Sequence, residues 1–143
     1  MPWFPKQTVV VPVDFSDESI AAVDTALELV ADPSHVHVIH VLPIITDYEA
    51  GLIWSTISDE TRVEHAQLAL RERLAGAKYE NIRIAVTFGD AGSEIAAFAE
   101  DKKADLIVIP SHGRTGLKRW LIGSVAERVV RLAHCEVLVL KLP

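Results

Sequence analysis

Only one cysteine occurs in the 143 residues, Cys135, so no disulfide can close within the chain and a reducing compartment is its natural setting. It stands in an apolar run entering the last strand, the position of an inert, packed thiol rather than a reactive one. No apolar run approaches the roughly 20 residues needed to cross a bilayer. The opening "MPWFPKQ" has no long apolar core and leads straight into a strand, so a signal peptide is not expected and a cytoplasmic protein is. Positive charge is scarce too: a formal net charge of −6 argues against general affinity for a nucleic-acid backbone. Two glycine signatures are missing. There is no Gly-x-x-x-x-Gly-Lys-Ser/Thr and no Gly-x-Gly-x-x-Gly, so neither a P-loop NTPase nor a dinucleotide fingerprint is supported.

What is present fits a single domain spanning residues 1–143, with half its residues hydrophobic and about a quarter charged. The charge is unevenly spread. From His112 to Lys141 six basic residues (Arg114, Lys118, Arg119, Arg128, Arg131, Lys141) face only Glu127 and Glu136, a local +4, which leaves −10 on the first 111 residues. A small anionic ligand near the basic end is one reading, solubilising charge on a terminal helix the other.

Five apolar, β-branched runs alternate with amphipathic stretches: Thr8–Asp14, His35–Leu42, Ile82–Phe88, Ala104–Ser111 and Glu136–Leu142. Three are almost continuously apolar, the pattern of parallel strands covered on both faces. Between them the spacing predicts four helices. The first carries Ile20, Val23, Leu27 and Val30 after a Ser16 cap, and the second Val63, Ala66, Leu70 and Leu74 after Ser58. The third carries Ile95, Phe98 and Ala99, and the fourth Val125, Val129 and Leu132. The alternation predicts an α/β fold with an open, doubly wound parallel sheet. One connection, "PIITDYEAGLIWSTIS", is long and apolar for a loop, with Tyr48, Leu52, Ile53 and Trp54, and suits packing or a subunit contact.

In such a sheet, ligands bind beyond the carboxyl ends of the strands where strand order reverses. Those ends are "VPVDFS" and "VIPSHG". Asp14 ends the first, as a ligand-facing carboxylate or as an Asx turn with Ser16. After the second, Gly113 and Gly116 permit a turn around phosphate, Gly123-Ser124 opens a helix whose first N–H groups favour an anion, and Arg114 and Lys118 add charge. The rival reading is a capping box, Ser124-Val-Ala-Glu127; spacing alone leaves both open. His112 is either a ligand contact or a histidine filling the turn. His35, His37 and His40 do not make a metal site, since 35 and 37 share a strand face and 40 takes the other. Trp120 reads as packing.

The runs "VVVPVDFSDESIAAVDTALELV" and "SHGRTGLKRWLIGSVAERVVRLAHCEVLVLK" resemble the universal stress protein family over essentially the whole chain. Its nucleotide-binding members carry Gly-x-x-Gly, nine residues, then Gly-Ser or Gly-Thr. Here Gly113, the nine residues Arg114 to Ile122, and Gly123-Ser124 match, while Pro110 stands at the first glycine. The resemblance implies an adenine nucleotide α-hydrolase-like fold with a five-stranded parallel sheet in the order 3-2-1-4-5, flanked by four helices. It implies a cytoplasmic homodimer formed through the last strand, without nucleic acid or membrane partners. ATP is the implied ligand, with magnesium as an option and AMP or ADP as alternatives. Pro12, Val13 and Asp14 then match the base and ribose side, Val41 a backbone contact to adenine, and Gly113, Arg114, Gly123, Ser124 and Val125 the phosphate side, with Ile109, Pro110 and His112 between them.

Proline at 110 removes an N–H and a close backbone approach. One neutral hydrogen bond lost is about 0.5–1.5 kcal/mol, roughly three- to tenfold in affinity. The expectation is an ATP-binding, nucleotide-responsive regulatory module of the stress response with weakened affinity. The alternative is an interaction module whose crevice no longer takes nucleotide. No nucleophile with its base stands out, so dedicated catalysis is not expected and slow ATP hydrolysis stays open. A Ser-Gly-Gly-x-Asp-Ser loop, the mark of related hydrolases, is replaced by "VDFSDES".

Overall fold

The computed structural model describes residues 2–45, 58–112 and 122–141. Its strands are β1 (Val9–Pro12), β2 (Val36–Leu42), β3 (Arg83–Phe88), β4 (Leu106–Pro110) and β5 (Glu136–Leu140). Its helices are α1 (Asp17–Glu28), α2 (Asp59–Arg73), α3 (Ala91–Asp101) and α4 (Ser124–Leu132). All pairings are parallel and the order is β3-β2-β1-β4-β5, as expected for the doubly wound sheet.

The near-continuous apolar runs are explained by burial on both faces. Val9, Val11, Val36, Val38 and Val108 pack with Ile20, Val23 and Ala26 of α1 and Leu70 of α2. The intervening Val10, Ile39, Ile107 and Ile109 turn the other way, onto Ile95 and Ala99 of α3 and Ala126 and Val129 of α4. Successive residues of the central strands β1 and β4 thus feed two separate cores, which is why both of their faces are apolar. No described helix is long and apolar enough to cross a membrane.

Three helices start on a side-chain oxygen that accepts the N–H three residues on: Ser16 from Ser19, Ser58 from Thr61, and Asp90 from Ser93. Strand ends differ modestly from expectation. His35 lies in a short 3-10 turn, Pro33–His35, rather than in β2, so only His37 and His40 belong to the strand. No group of three potential metal ligands occurs among the described residues.

The expected apolar face of the fourth helix is corrected more substantially. Val125 and Leu132 are 40% and 46% exposed, and the buried pair is Ala126 and Val129. The connection with Tyr48, Leu52, Ile53 and Trp54 falls mostly outside the described residues, and so do Gly113, Arg114, Gly116, Lys118, Arg119 and Trp120.

Candidate functional site

β1 and β4 pair only at Val9 with Leu106 and Val10 with Ile107. Beyond that point β1 continues to Pro12 beside β2, and β4 continues to Pro110 beside β5. The two central strands therefore part at their carboxyl ends, and a crevice opens where strand order reverses. It holds a cavity of about 340 Å³, within the usual range for small-molecule sites.

One wall is the end of β1, with Pro12, Val13 and Asp14. The Val13 N–H donates to the Ile39 carbonyl at 2.8 Å, and the Val13 carbonyl is met by His40 Nδ1 at 2.6 Å. That contact requires the Nδ1–H form of the ring as donor. The Asx turn is realised: Asp14 Oδ1 accepts from both the N–H and the hydroxyl of Ser16. Between them Phe15 takes the left-handed region at φ 69° and sets its ring edge-on against His40, centroids 4.8 Å apart. The turn holds the carboxylate at the cavity rim, so turn-making and lining the site are compatible roles for Asp14.

The opposite wall is Ile109 to His112. Here the position of the proline can be read from bond directions. The Ser111 N–H donates to Leu140 of β5 at 2.8 Å, and N–H groups alternate sides along a strand. An N–H at 110 would therefore point toward β1, into the stretch where β1–β4 pairing has ended. Pro110 leaves the sheet no unmade bond, and the donor it removes is one that would have faced the crevice. Ser111 Oγ lies 3.0 Å from His112 Nδ1, both residues are buried, and His112 Nε2 is buried with no hydrogen-bond partner among the described residues.

The third wall is the first turn of α4, and here the capping-box reading is overturned. Gly123, not Ser124, is the N-cap, and no described side chain caps the helix. Glu127 pairs instead with Arg131 one turn on. The cause is tertiary. The Gly123 N–H donates to the Ser111 carbonyl at 2.6 Å, and a Cβ at 123 would sit 2.9 Å from that oxygen. This close approach fixes where the helix begins. Among the described residues no side chain caps the N–H groups of Ser124, Val125 and Ala126, which is the condition under which a helix N-terminus accepts an anion.

Ten of the expected site residues (Pro12, Val13, Asp14, Val41, Ile109, Pro110, His112, Gly123, Ser124 and Val125) line this cavity. Gly113 and Arg114 lie outside the described residues. The same cavity is lined by Ser19, Ile39, His40, Ala91, Ile95, Ser111 and Ala126, which the sequence reading did not assign to it. For Ser19 a signal existed, its place three residues after the Ser16 cap; the others are brought in by tertiary packing. Away from the site, burial pushes the Cys135 thiol up, with the charges of Glu136 and Asp105 adding to the effect. A protonated thiol is a poor nucleophile.

The architecture is that of a doubly wound α/β protein with an open crevice at its switch point. The universal stress protein family model matches residues 6–141, and the chain belongs to that family. Universal stress protein MJ0531 of Methanocaldococcus jannaschii is 40% identical over 141 residues, covering 94% of this chain and 82% of that protein. Among solved structures, MJ0577 of the same organism superposes with a TM-score of 0.75 at 25% identity, covering 96% of each chain. A universal stress protein in complex with cAMP superposes at 0.56 with 27% identity, covering 94% of this chain and 96% of that one.

Proposed function

We propose that the crevice binds an adenine nucleotide, ATP first with AMP or ADP as alternatives, and that the protein is a cytoplasmic, homodimeric, nucleotide-responsive module of the stress response. The observation that carries this reading is the uncapped first turn of α4 opening onto the cavity whose far wall is Asp14. An anion is favoured at one end, by N–H groups and the helix dipole. A hydrogen-bond acceptor for a ribose hydroxyl or a base amino group stands at the other. A similar protein holds cAMP, which has the same adenine, ribose and phosphate components.

In this reading Val41 and Ile39 give the base an apolar seat, Asp14 orients the nucleoside, and the N–H groups of Ser124 and Val125 receive phosphate. Where magnesium accompanies the nucleotide, Asp14 is the acidic side chain lining the described cavity. Ligand bridging β1 and α4 selects the arrangement in which both are held, and so alters the surface offered to partners. The Ser111–His112 contact joins sequence neighbours, and no third group among the described residues orients the imidazole as in a triad; slow hydrolysis of the nucleotide stays open. β5 lies at the sheet edge with Leu138 37% exposed, and an unpaired apolar edge favours pairing with a second copy.

The rival reading, a universal stress protein that binds no nucleotide and acts only through its surfaces, is favoured by Pro110. The test is to denature the purified protein, look for released nucleotide, and compare melting with and without Mg-ATP. Ligand at a hundred times its Kd stabilises by about 2.7 kcal/mol. No released nucleotide and no shift at saturating Mg-ATP supports the rival.

A further inference from the structure

Arg128, on the second turn of α4, reaches across to the start of α3. Its Nε lies 2.9 Å from Asp90 Oδ2, and Nε and Nη2 donate to Ser93 Oγ at 3.2 and 3.1 Å. Asp90 Oδ2 in turn accepts from the Ser93 N–H at 3.0 Å and its hydroxyl at 2.8 Å. The cluster is closed: a carboxylate caps α3, a serine joins it, and a guanidinium from another helix completes both. The stem of the arginine lies directly on Gly92. A Cβ there would come within 2.7 Å of Arg128 Cβ, Cγ and Cδ, so the glycine serves a close approach of side chain to backbone.

The place of this contact gives it a meaning. Ala91 and Ile95 of α3 line the cavity on one side of the clamp, and Ser124, Val125 and Ala126 of α4 line it on the other. α4 is nine residues long, and only Ala126 and Val129 of it are buried. Beyond the Gly123–Ser111 contact that starts the helix, these two small side chains and the Arg128 stem on Gly92 are what set its tilt against α3. The Arg128 and Asp90 side chains are 52% and 61% exposed, and ion pairs of that kind contribute little to global stability. A solvent-exposed pair that fixes one helix against another at the mouth of a ligand site matters for geometry more than for folding.

We infer that Arg128 is a positioning residue for the phosphate end of the site, holding the first turn of α4 against α3 through Asp90 and Ser93 over Gly92. This rests on the nucleotide reading above, and deepens it by separating the phosphate wall from the base wall. β1 and β2 form the base side without Arg128, so loosening the clamp weakens a ligand that carries phosphate and spares one that does not.

The experiment measures Kd for Mg-ATP and for adenosine by calorimetry, with the melting temperature of the ligand-free protein alongside. The proteins are the wild type, Arg128→Gln, Arg128→Lys, Asp90→Asn and Gly92→Ala. Asparagine at 90 keeps a capping oxygen and removes the ion pair. Lysine keeps the charge and loses the fork. Alanine at 92 displaces the arginine while leaving it in the chain. The inference predicts ATP binding about three- to tenfold weaker in Arg128→Gln and Gly92→Ala, the scale of an oriented hydrogen bond lost. It predicts an intermediate loss in Arg128→Lys and Asp90→Asn, adenosine binding unchanged throughout, and melting little altered in all but Gly92→Ala, where a methyl 2.7 Å from Arg128 Cβ lowers the melting temperature through overpacking. Equal losses for ATP and adenosine, or undiminished ATP binding in Gly92→Ala and Asp90→Asn, overturn it. A wild type that binds neither ligand overturns the nucleotide reading itself, an outcome distinct from a wild type that binds both and is insensitive to the clamp.

Discussion

Pro110 and Gly123 constrain the backbone of the crevice in opposite ways. The proline takes away a donor aimed at the space between β1 and β4, and the glycine permits the 2.6 Å contact with the Ser111 carbonyl that starts α4. Replacing Pro110 by glycine is expected to tighten Mg-ATP binding about three- to tenfold. It should also lower stability by about 0.4–1 kcal/mol through backbone freedom in the unfolded chain. A nucleotide titration paired with a denaturant melt reads both, and an unchanged Kd would clear the proline of any effect on affinity. Gly123→Ala places a methyl 2.9 Å from a backbone oxygen. The predicted cost is about 1–3 kcal/mol from overpacking, with loss of ATP affinity because the first turn of α4 moves; thermal melting with and without Mg-ATP checks both. His37 gives a pH signature. Burial, then the charges of Arg83, Lys102 and His35, hold its imidazole below the ordinary 6.5. Below that pH the unfolded chain binds the proton more readily than the folded one. Stability therefore rises as pH climbs toward 6.5 and levels off above it. Urea melts on either side of that pH should show the slope in the wild type and its reduction in His37→Gln.

Among the elements, α2 shows how burial is apportioned on one helix. Leu70 is fully buried and Leu68 is 65% exposed, so Leu70→Ala should cost about 2–5 kcal/mol and Leu68→Ala less than about 0.5. Denaturant unfolding of the pair separates them; similar losses would contradict the packing described. Such elements were readable from the sequence because each rests on a local rule. Runs such as Leu106 to Pro110 are apolar because both faces are covered, and Ser16 and Ser58 cap because, with the serine at the N-cap, its hydroxyl reaches the N–H three residues on. α4 was misread for the converse reason. Ser124 and Glu127 satisfy the spacing of a capping box, yet the helix starts where Gly123 meets Ser111, a contact between different elements that leaves no local trace. The same applies to His40, Ala91 and Ile95, which line the cavity because β2 and α3 happen to deliver them there. The Asx turn of Asp14 was visible, being local. That it also faces the crevice depends on the sheet order, which the alternation of strands and helices did imply.

At the scale of the whole molecule, the strand order leaves β5 at an edge of the sheet, beside β4 and in contact with α4. The basic bias of the last fifth is partly engaged within the fold, with Arg128 on Asp90 and Arg131 on Glu127. In the nucleotide reading proposed above, its service to the site is in part to hold α4 rather than to touch ligand. If β5 pairs with its copy, Leu138→Lys should shift the protein from dimer to monomer in sedimentation equilibrium with the fold retained by circular dichroism; a monomeric wild type would contradict this. The central claim is that the crevice between β1 and β4 takes an adenine nucleotide by its phosphate on the uncapped turn of α4. Calorimetric titration of the ligand-free protein with Mg-ATP tests it most directly. Saturable, one-to-one binding that Gly123→Ala abolishes or strongly weakens is the expected result. Absence of binding at millimolar Mg-ATP, or binding indifferent to Gly123→Ala, would contradict it.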